Sequence, residues 1–172
     1  MKDIESRLIS ELMRNSRRSD RDLAKAIGSS QPTVTRIRNR LEKEGIIREY
    51  AMIPDFGKLG FEIVAVTFLR FVKELSGDEF KELRAYSREI ETKRSEAILM
   101  AMNGMGLGYN RVFISFHKNY ASYVKTINEV KTIPNVDPSH VESFLINLID
   151  EPHFQPLTLS AIARYLEKEE EP

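Results

Sequence analysis

The sequence has no cysteine and no tryptophan, and its net charge is zero because 26 basic side chains face 26 acidic ones. Without cysteine there are no disulfides, thiolate metal sites or cysteine nucleophiles, so stability must come from burial. Long apolar runs are missing too. The longest, Ile63 to Leu69 and Ala97 to Met102, fall far short of the roughly 20 residues that cross a bilayer. Residues 1–30 contain no signal-peptide core, which reads as a cytoplasmic chain with no membrane partner. At 172 residues there is room for one medium domain or two small ones, not a large multidomain enzyme. A hydrophobic fraction of 41% is too high for a disordered chain.

The neutrality is a cancellation. Residues 1–50 hold 12 Lys/Arg against 8 Asp/Glu, a balance of +4, and residues 51–172 hold 14 against 18, a balance of −4. A basic N-terminal third joined to an acidic remainder points to a polyanionic partner at one end only.

Ile4, Leu8, Ile9 and Leu12 recur at helical spacing and predict a helix from Lys2 to about Arg14. Ser19, followed three residues later by Asp22, predicts the capped start of a short second helix, and Gly28 its left-handed stop. Ser30 and Pro32 open a third helix whose Val34, Ile37 and Leu41 point inward. At about 100° per residue, Thr35, Arg36 and Asn39 then face outward, with Arg38 and Arg40 on the flanks. Residues 46–54 are β-branched and aromatic enough for an extended wing or linker strand.

Three short helices with a tight turn before a polar, arginine-bearing third one predict a winged helix-turn-helix. Such a helix must offer hydrogen bonders to base edges and be clamped by phosphate contacts. Gln31, Thr33, Thr35 and Arg36 suit the first task, and Ser30, Arg38, Arg40 and Arg48 the second. Every charge between Gln31 and Leu41 is positive, which favours double-stranded DNA as partner over a merely solvated face.

The stretch SDRDLAKAIGSSQPTVTRIRNRLEKEGIIREYAMIPDFGKLGFE resembles the N-terminal half of the Lrp/AsnC (feast/famine) family of transcriptional regulators, in an archaeal-looking form. The pieces that carry the resemblance are DLAKAIG, the S-x-PTV opening of the third helix, RLEKEGII, and the exit closed by KLG. One departure is Ile37-Arg38, where the family often places arginine before the apolar residue.

Beyond a turn-rich boundary at 54–60, patterns alternate in the order β-α-β-β-α-β. A strand at Glu62–Phe71 leads to a helix from Ser76 to about Ile90, with Phe80, Leu83 and Ile90 inward. Strands at 97–102 and 111–117 form a hairpin, a helix capped by Asn119 ends near Pro134, and the last strand runs from Val141 to Ile149. This predicts an α+β fold in which a ferredoxin-like βαββαβ sandwich (61–151) follows the head (1–54), with a helical extension at 152–172. The first and last strands are apolar on both sides, so the face opposite the helices needs a cover, and a second copy packed sheet to sheet supplies one. The resemblance implies the same homodimer, with assembly into tetramers or octamers. In the extension, Leu159, Ile162, Ala163 and Leu166 form a stripe that suits docking on its own dimer better than recruiting another partner.

The segment Asn103–Asn110 places glycines at 104, 106 and 108, where a ligand or another backbone could come close, or where a plain hairpin turns. It is no dinucleotide fingerprint, since it joins two strands instead of opening a helix. In the family the corresponding hairpin borders a pocket for small effectors such as amino acids. The resemblance thus implies Gly104, Gly106, Gly108 and Asn110 as effector-binding residues, with Asn110 standing where an acid is common.

His117, His140 and His153 are spaced too irregularly for a helical metal pair, no catalytic constellation stands out, and no cofactor or metal is expected. The leading reading is a sequence-specific DNA-binding regulator, dimeric or larger, and not an enzyme. Two others stay open: a siroheme-decarboxylase-like enzyme with a relic helix-turn-helix, and a ligand-sensing scaffold that does not bind DNA.

Overall fold

The computed structural model describes residues 3–73, 76–83, 85, 97–149 and 157–168. In chain order the elements are α1 (Asp3–Arg14), α2 (Asp20–Ile27), α3 (Gln31–Lys43), β1 (Ile63–Phe71), a helical segment α4 at 77–83, β2 (Ala97–Gly106), β3 (Tyr109–His117), α5 (Tyr120–Val130), β4 (Val136–Asn147) and α6 (Ser160–Lys168). They fall into two compact units, one formed by 1–54 together with 153–172, the other by 55–152.

The first unit is a helical head. Ser19 caps α2 by accepting from the Asp22 N–H, and Gly28 ends it at φ 65°, ψ 43°, donating its own N–H to Ala24 O. That left-handed residue turns the chain within two positions into Ser30, which caps α3 by accepting from the Thr33 N–H. Leu8, Leu12, Leu23, Ile27, Val34, Ile37 and Leu41 close the core as their spacing predicts, and Leu166 of α6 packs against it. The C-terminal helix therefore docks within its own chain's head. Ala163 is fully buried, the Ser10 hydroxyl donates to Ala163 O, and Arg14 grips Glu167 through two 2.5 Å hydrogen bonds.

Residues 46–54 correct one expectation, because they form no strand ladder. β-propensity alone does not make a strand; it needs a neighbour for its backbone groups, and none lies beside this segment among the described residues. Tyr50 donates to Glu42 Oε1 and Ser16 to Ala51 O instead.

The second unit is an antiparallel sheet in the order β2-β3-β1-β4 with α4 and α5 on one face. Ser76 and Glu79 form a capping box at the start of α4, and Asn119 and Ser122 form another at α5. Ile90, expected on the inner face of the first of these helices, lies outside the described residues. β4 begins at Val136, five residues before the expected start. Pro138 hid this: proline is excluded from central strands, but β4 is an edge, and Pro138 falls in the irregular stretch between Val136, opposite Phe71, and Val141, opposite Leu69.

Ala65, Thr67 and Leu69 of β1 are buried on the helix side, while Val64, Val66 and Phe68 alternate onto the other face. There Val66 stands between Ile114 and Phe144. Phe116 on the same face is covered by Phe56, stacked at 4.2 Å, and by Phe61. The rest is open, with Phe144 68% and Met102 55% exposed.

Candidate nucleic-acid interface

The outer face of α3 is where the sequence placed it. Gln31, Pro32, Thr35, Arg36 and Asn39 line one open concavity along the helix. The inward stripe Val34, Ile37 and Leu41 fixes the rotation of α3, so packing aims these polar groups at solvent.

The eight residues assigned to DNA contact fare differently. Gln31 and Arg36 are exposed, and Arg36 makes no ion pair among the described residues. Ser30 is spent on the cap and shares a 2.8 Å hydroxyl contact with Thr33. Thr35 donates to Asp20 Oδ2 at 2.5 Å, so its hydroxyl already serves the α2–α3 junction. Arg38 lies 2.5 Å from Asp20 Oδ1, and Arg40 lies 2.5 Å from Glu5 Oε1. The hydrogen bond that Arg40 donates to Glu5 raises the guanidinium pKa above its usual value, despite some opposing desolvation. Of the three arginines that made α3 look uniformly basic, two are thus matched by acids on α1 and α2. A one-dimensional charge count cannot show that, since Glu5 and Asp20 are 35 and 18 positions away from their partners. Arg48 is exposed in the segment after α3.

Two cations escaped the sequence reading. Arg21 and Lys25 sit at i, i+4 on α2, both exposed, and neither forms an ion pair among the described residues. Their spacing was the available signal. Ser19 and the neighbouring cations hold the Asp22 carboxyl below its usual range, the Ser19 hydrogen bond most strongly.

The glycine-rich segment is more regular than expected. β2 continues through Gly106 and β3 begins at Tyr109, so only Leu107 and Gly108 form the turn. Both have positive φ, 54° and 82°, which matches the two-residue turn whose twist suits a hairpin. A Cβ built on Gly104, Gly106 or Gly108 would meet nothing within 4 Å, so no neighbouring backbone makes these glycines necessary. Asn110 accepts the Phe71 N–H through Oδ1 at 3.0 Å, beside the irregularity at Leu69–Phe71. Its side chain bridges β3 to β1. Gly104, Gly106, Gly108 and Asn110 thus build the hairpin, and Asn110 braces it against β1. Among the described residues no group of His, Cys, Asp and Glu could hold a metal, and no helix is long and apolar enough to cross a membrane.

Comparison with known proteins agrees with this geometry. A family model described as winged helix-turn-helix DNA-binding matches residues 1–48. An uncharacterised HTH-type transcriptional regulator of Pyrococcus horikoshii is 36% identical over 58 residues, covering 34% of this chain and 39% of that protein. A counterpart in Pyrococcus furiosus is 38% identical over 61 residues, 36% of this chain and 41% of that one. These matches thus span about two fifths of the length of either relative. The crystal structure of the P. horikoshii protein is similar with a TM-score of 0.67 at 23% identity, covering 91% of this chain and 98% of its own. Bacillus subtilis LrpC gives 0.67 at 24% identity, covering 90% and 99%. A Neisseria meningitidis transcriptional regulator in complex with L-Met gives 0.70 at 16% identity, covering 94% and 99%.

Proposed function

We propose, from the premise that this chain has the fold of the Lrp- and AsnC-type regulators behind a winged helix-turn-helix head, that it is a sequence-specific DNA-binding transcriptional regulator acting as a dimer or higher oligomer. One observation carries the reading: the outward face of α3 gathers Gln31, Arg36 and Asn39 in an open concavity, while the acids nearest the helix are drawn aside onto Arg38 and Arg40. A face of amide groups and one free guanidinium is suited to base edges in a major groove, where Arg and Gln make bidentate contacts. Arg21, Lys25 and Arg48 are the candidates for phosphate contact, with the N-terminus of α2 beside Arg21 adding backbone donors.

A single head covers only a half-site. The open sheet face, with Val66, Ile114, Met102 and Phe144 in or near one row, is apolar enough to pack on a second copy, and two-fold pairing presents two recognition helices. Two heads would read half-sites about 34 Å apart on a pseudo-palindrome. A small-molecule effector such as an amino acid acts in this reading by binding one assembly geometry better than another. The L-Met complex of the Neisseria protein, which has the same fold, supports that class of ligand.

The test is selection of bound fragments from a random duplex pool, run at fixed salt with and without the common amino acids. Enrichment of a two-fold symmetric motif is the expected result. A protein that stays a single subunit at micromolar concentration and retains no duplex at low salt overturns the proposal.

A further inference from the structure

Arg38 is held by an acid that is itself almost out of water. The Asp20 side chain is 12% exposed, one oxygen 2.5 Å from Arg38 NH1 and the other 2.5 Å from the Thr35 hydroxyl. Arg38 is gripped at one nitrogen only. Its Nε and the facing Asp20 Oδ1 are both buried without a hydrogen bond, so the contact is an ion pair, and Nε stands 3.6 Å from Glu42 Oε1. Glu42 is in turn engaged by the Tyr50 hydroxyl at 2.6 Å. The Arg40–Glu5 pair repeats the arrangement, with Arg40 Nε 3.7 Å from Glu44.

We infer that Asp20 is an internal stand-in for a DNA phosphate, withholding Arg38 from the backbone of arbitrary DNA and releasing it only when the head is seated in register. The inference rests on the DNA-binding reading above and names a specificity determinant within it. Sequence-independent affinity grows with the number of phosphates that Lys and Arg neutralise. An arginine already matched inside the protein adds nothing to that term. A phosphate placed opposite α3 can accept from two guanidinium nitrogens at once, which a carboxylate gripping one nitrogen does not, so a well-placed phosphate displaces Asp20 where a passing one does not. The same exchange takes the Thr35 hydroxyl off Asp20, because both contacts end on one carboxylate, and leaves it the Gln31 carbonyl 3.1 Å away. Thr35 lines the outward concavity, so the phosphate grip and the partner of that hydroxyl are switched together. Asp20 touches no DNA in this scheme and is a positioning residue.

The readout is the salt dependence of binding by the full chain to a random-sequence duplex. Asp20→Asn keeps an acceptor for Thr35 and removes the charge that holds Arg38. It is expected to steepen the log-affinity against log-salt slope by about 0.9, roughly a threefold larger loss between 50 and 200 mM salt, and to tighten binding to random duplex at the low end. Preference for the selected site over random duplex falls in step. Arg38→Gln in the otherwise unchanged chain leaves the random-duplex slope where it was, and the double variant Asp20→Asn/Arg38→Gln returns to that slope. A folded Asp20→Asn protein with an unaltered slope overturns the inference. So does a double variant that stays steep, since the added attraction would not then pass through Arg38. Should Asp20→Asn fail to fold, Arg38→Gln decides alone: a slope flattened by about 0.9 shows Arg38 already on phosphate and ends the idea. Loss of all duplex retention by the unaltered chain is a separate result, and it removes the DNA-binding reading itself.

Discussion

The hydroxyl of Ser10 donates to the carbonyl oxygen of Ala163 over 3.1 Å, a buried bond between residues 153 positions apart. It joins the first helix of the chain to the last, beside the fully buried Ala163 side chain and the Arg14–Glu167 pair. The head is therefore assembled from both ends of the sequence, with the sheet unit inserted between them.

Enlarging Ala163 should destabilise that head. Ala163→Leu forces extra methyl groups into a filled site and is expected to cost about 1–3 kcal/mol, whereas Ser10→Ala removes one net hydrogen bond and costs about 1 kcal/mol. Ile162→Ser, half exposed on the same helix, is the control and should cost less than either. Denaturant unfolding of the full chain, followed by helix signal, checks the order.

Acid should loosen the same junction. The hydrogen bonds from Arg14 hold the Glu167 carboxyl below its usual value of 4.5, against a smaller desolvation that pushes the other way. A carboxyl depressed in the folded state stabilises it above its unfolded value and loses that contribution as pH falls through the folded one. Cleavage of the C-terminal helix by an acid-active protease should accordingly rise below about pH 4.5. Glu167→Gln should show the higher cleavage rate at neutral pH as well.

Gly28→Ala should weaken the turn between α2 and α3 without any clash, because a Cβ there meets nothing within 4 Å while φ is 65°. The expected loss is about 1–2 kcal/mol from backbone conformation alone. Gly28→Asn should lose less, since Asn tolerates that region better. Thermal unfolding of the three proteins side by side gives the comparison.

Phe144→Glu tests the sheet-to-sheet dimer. The side chain is 68% exposed and sits beside Val66, so an acid there leaves the isolated fold intact and charges the apolar face. Light scattering should report a single subunit for the variant and at least two for the parent. A variant that keeps the parent's mass would place the interface elsewhere.

Base and phosphate contacts should separate on two arginines. Arg36→Ala is expected to cost about 1–3 kcal/mol on the preferred site and to relax sequence preference, while Arg48→Ala should weaken all duplexes alike and reduce the salt slope by about one ion. Titrations of specific and random duplex over a salt series distinguish the two. Equal losses on both duplexes for Arg36→Ala would refute its role as a reader.

Local chemistry was legible in the sequence by itself. Ser19, Gly28 and Ser30 act through neighbours one to four positions away, and the stripe Val34, Ile37, Leu41 fixes which face of α3 turns outward, so the helix-turn-helix and that outward face could be derived from spacing. The βαββαβ order was equally plain, because alternation and capping signals are carried within each element. Tertiary structure decided what depends on a distant partner. It left residues 46–54 without a strand, let β4 start before Pro138 because that strand is an edge, and set the Asn110 side chain against the Phe71 N–H. It also seated Glu5 and Asp20 on Arg40 and Arg38. The physical reason is common to all four: a hydrogen bond or an ion pair is fixed by where two groups meet in space, and periodicity along the chain says only which way each of them points.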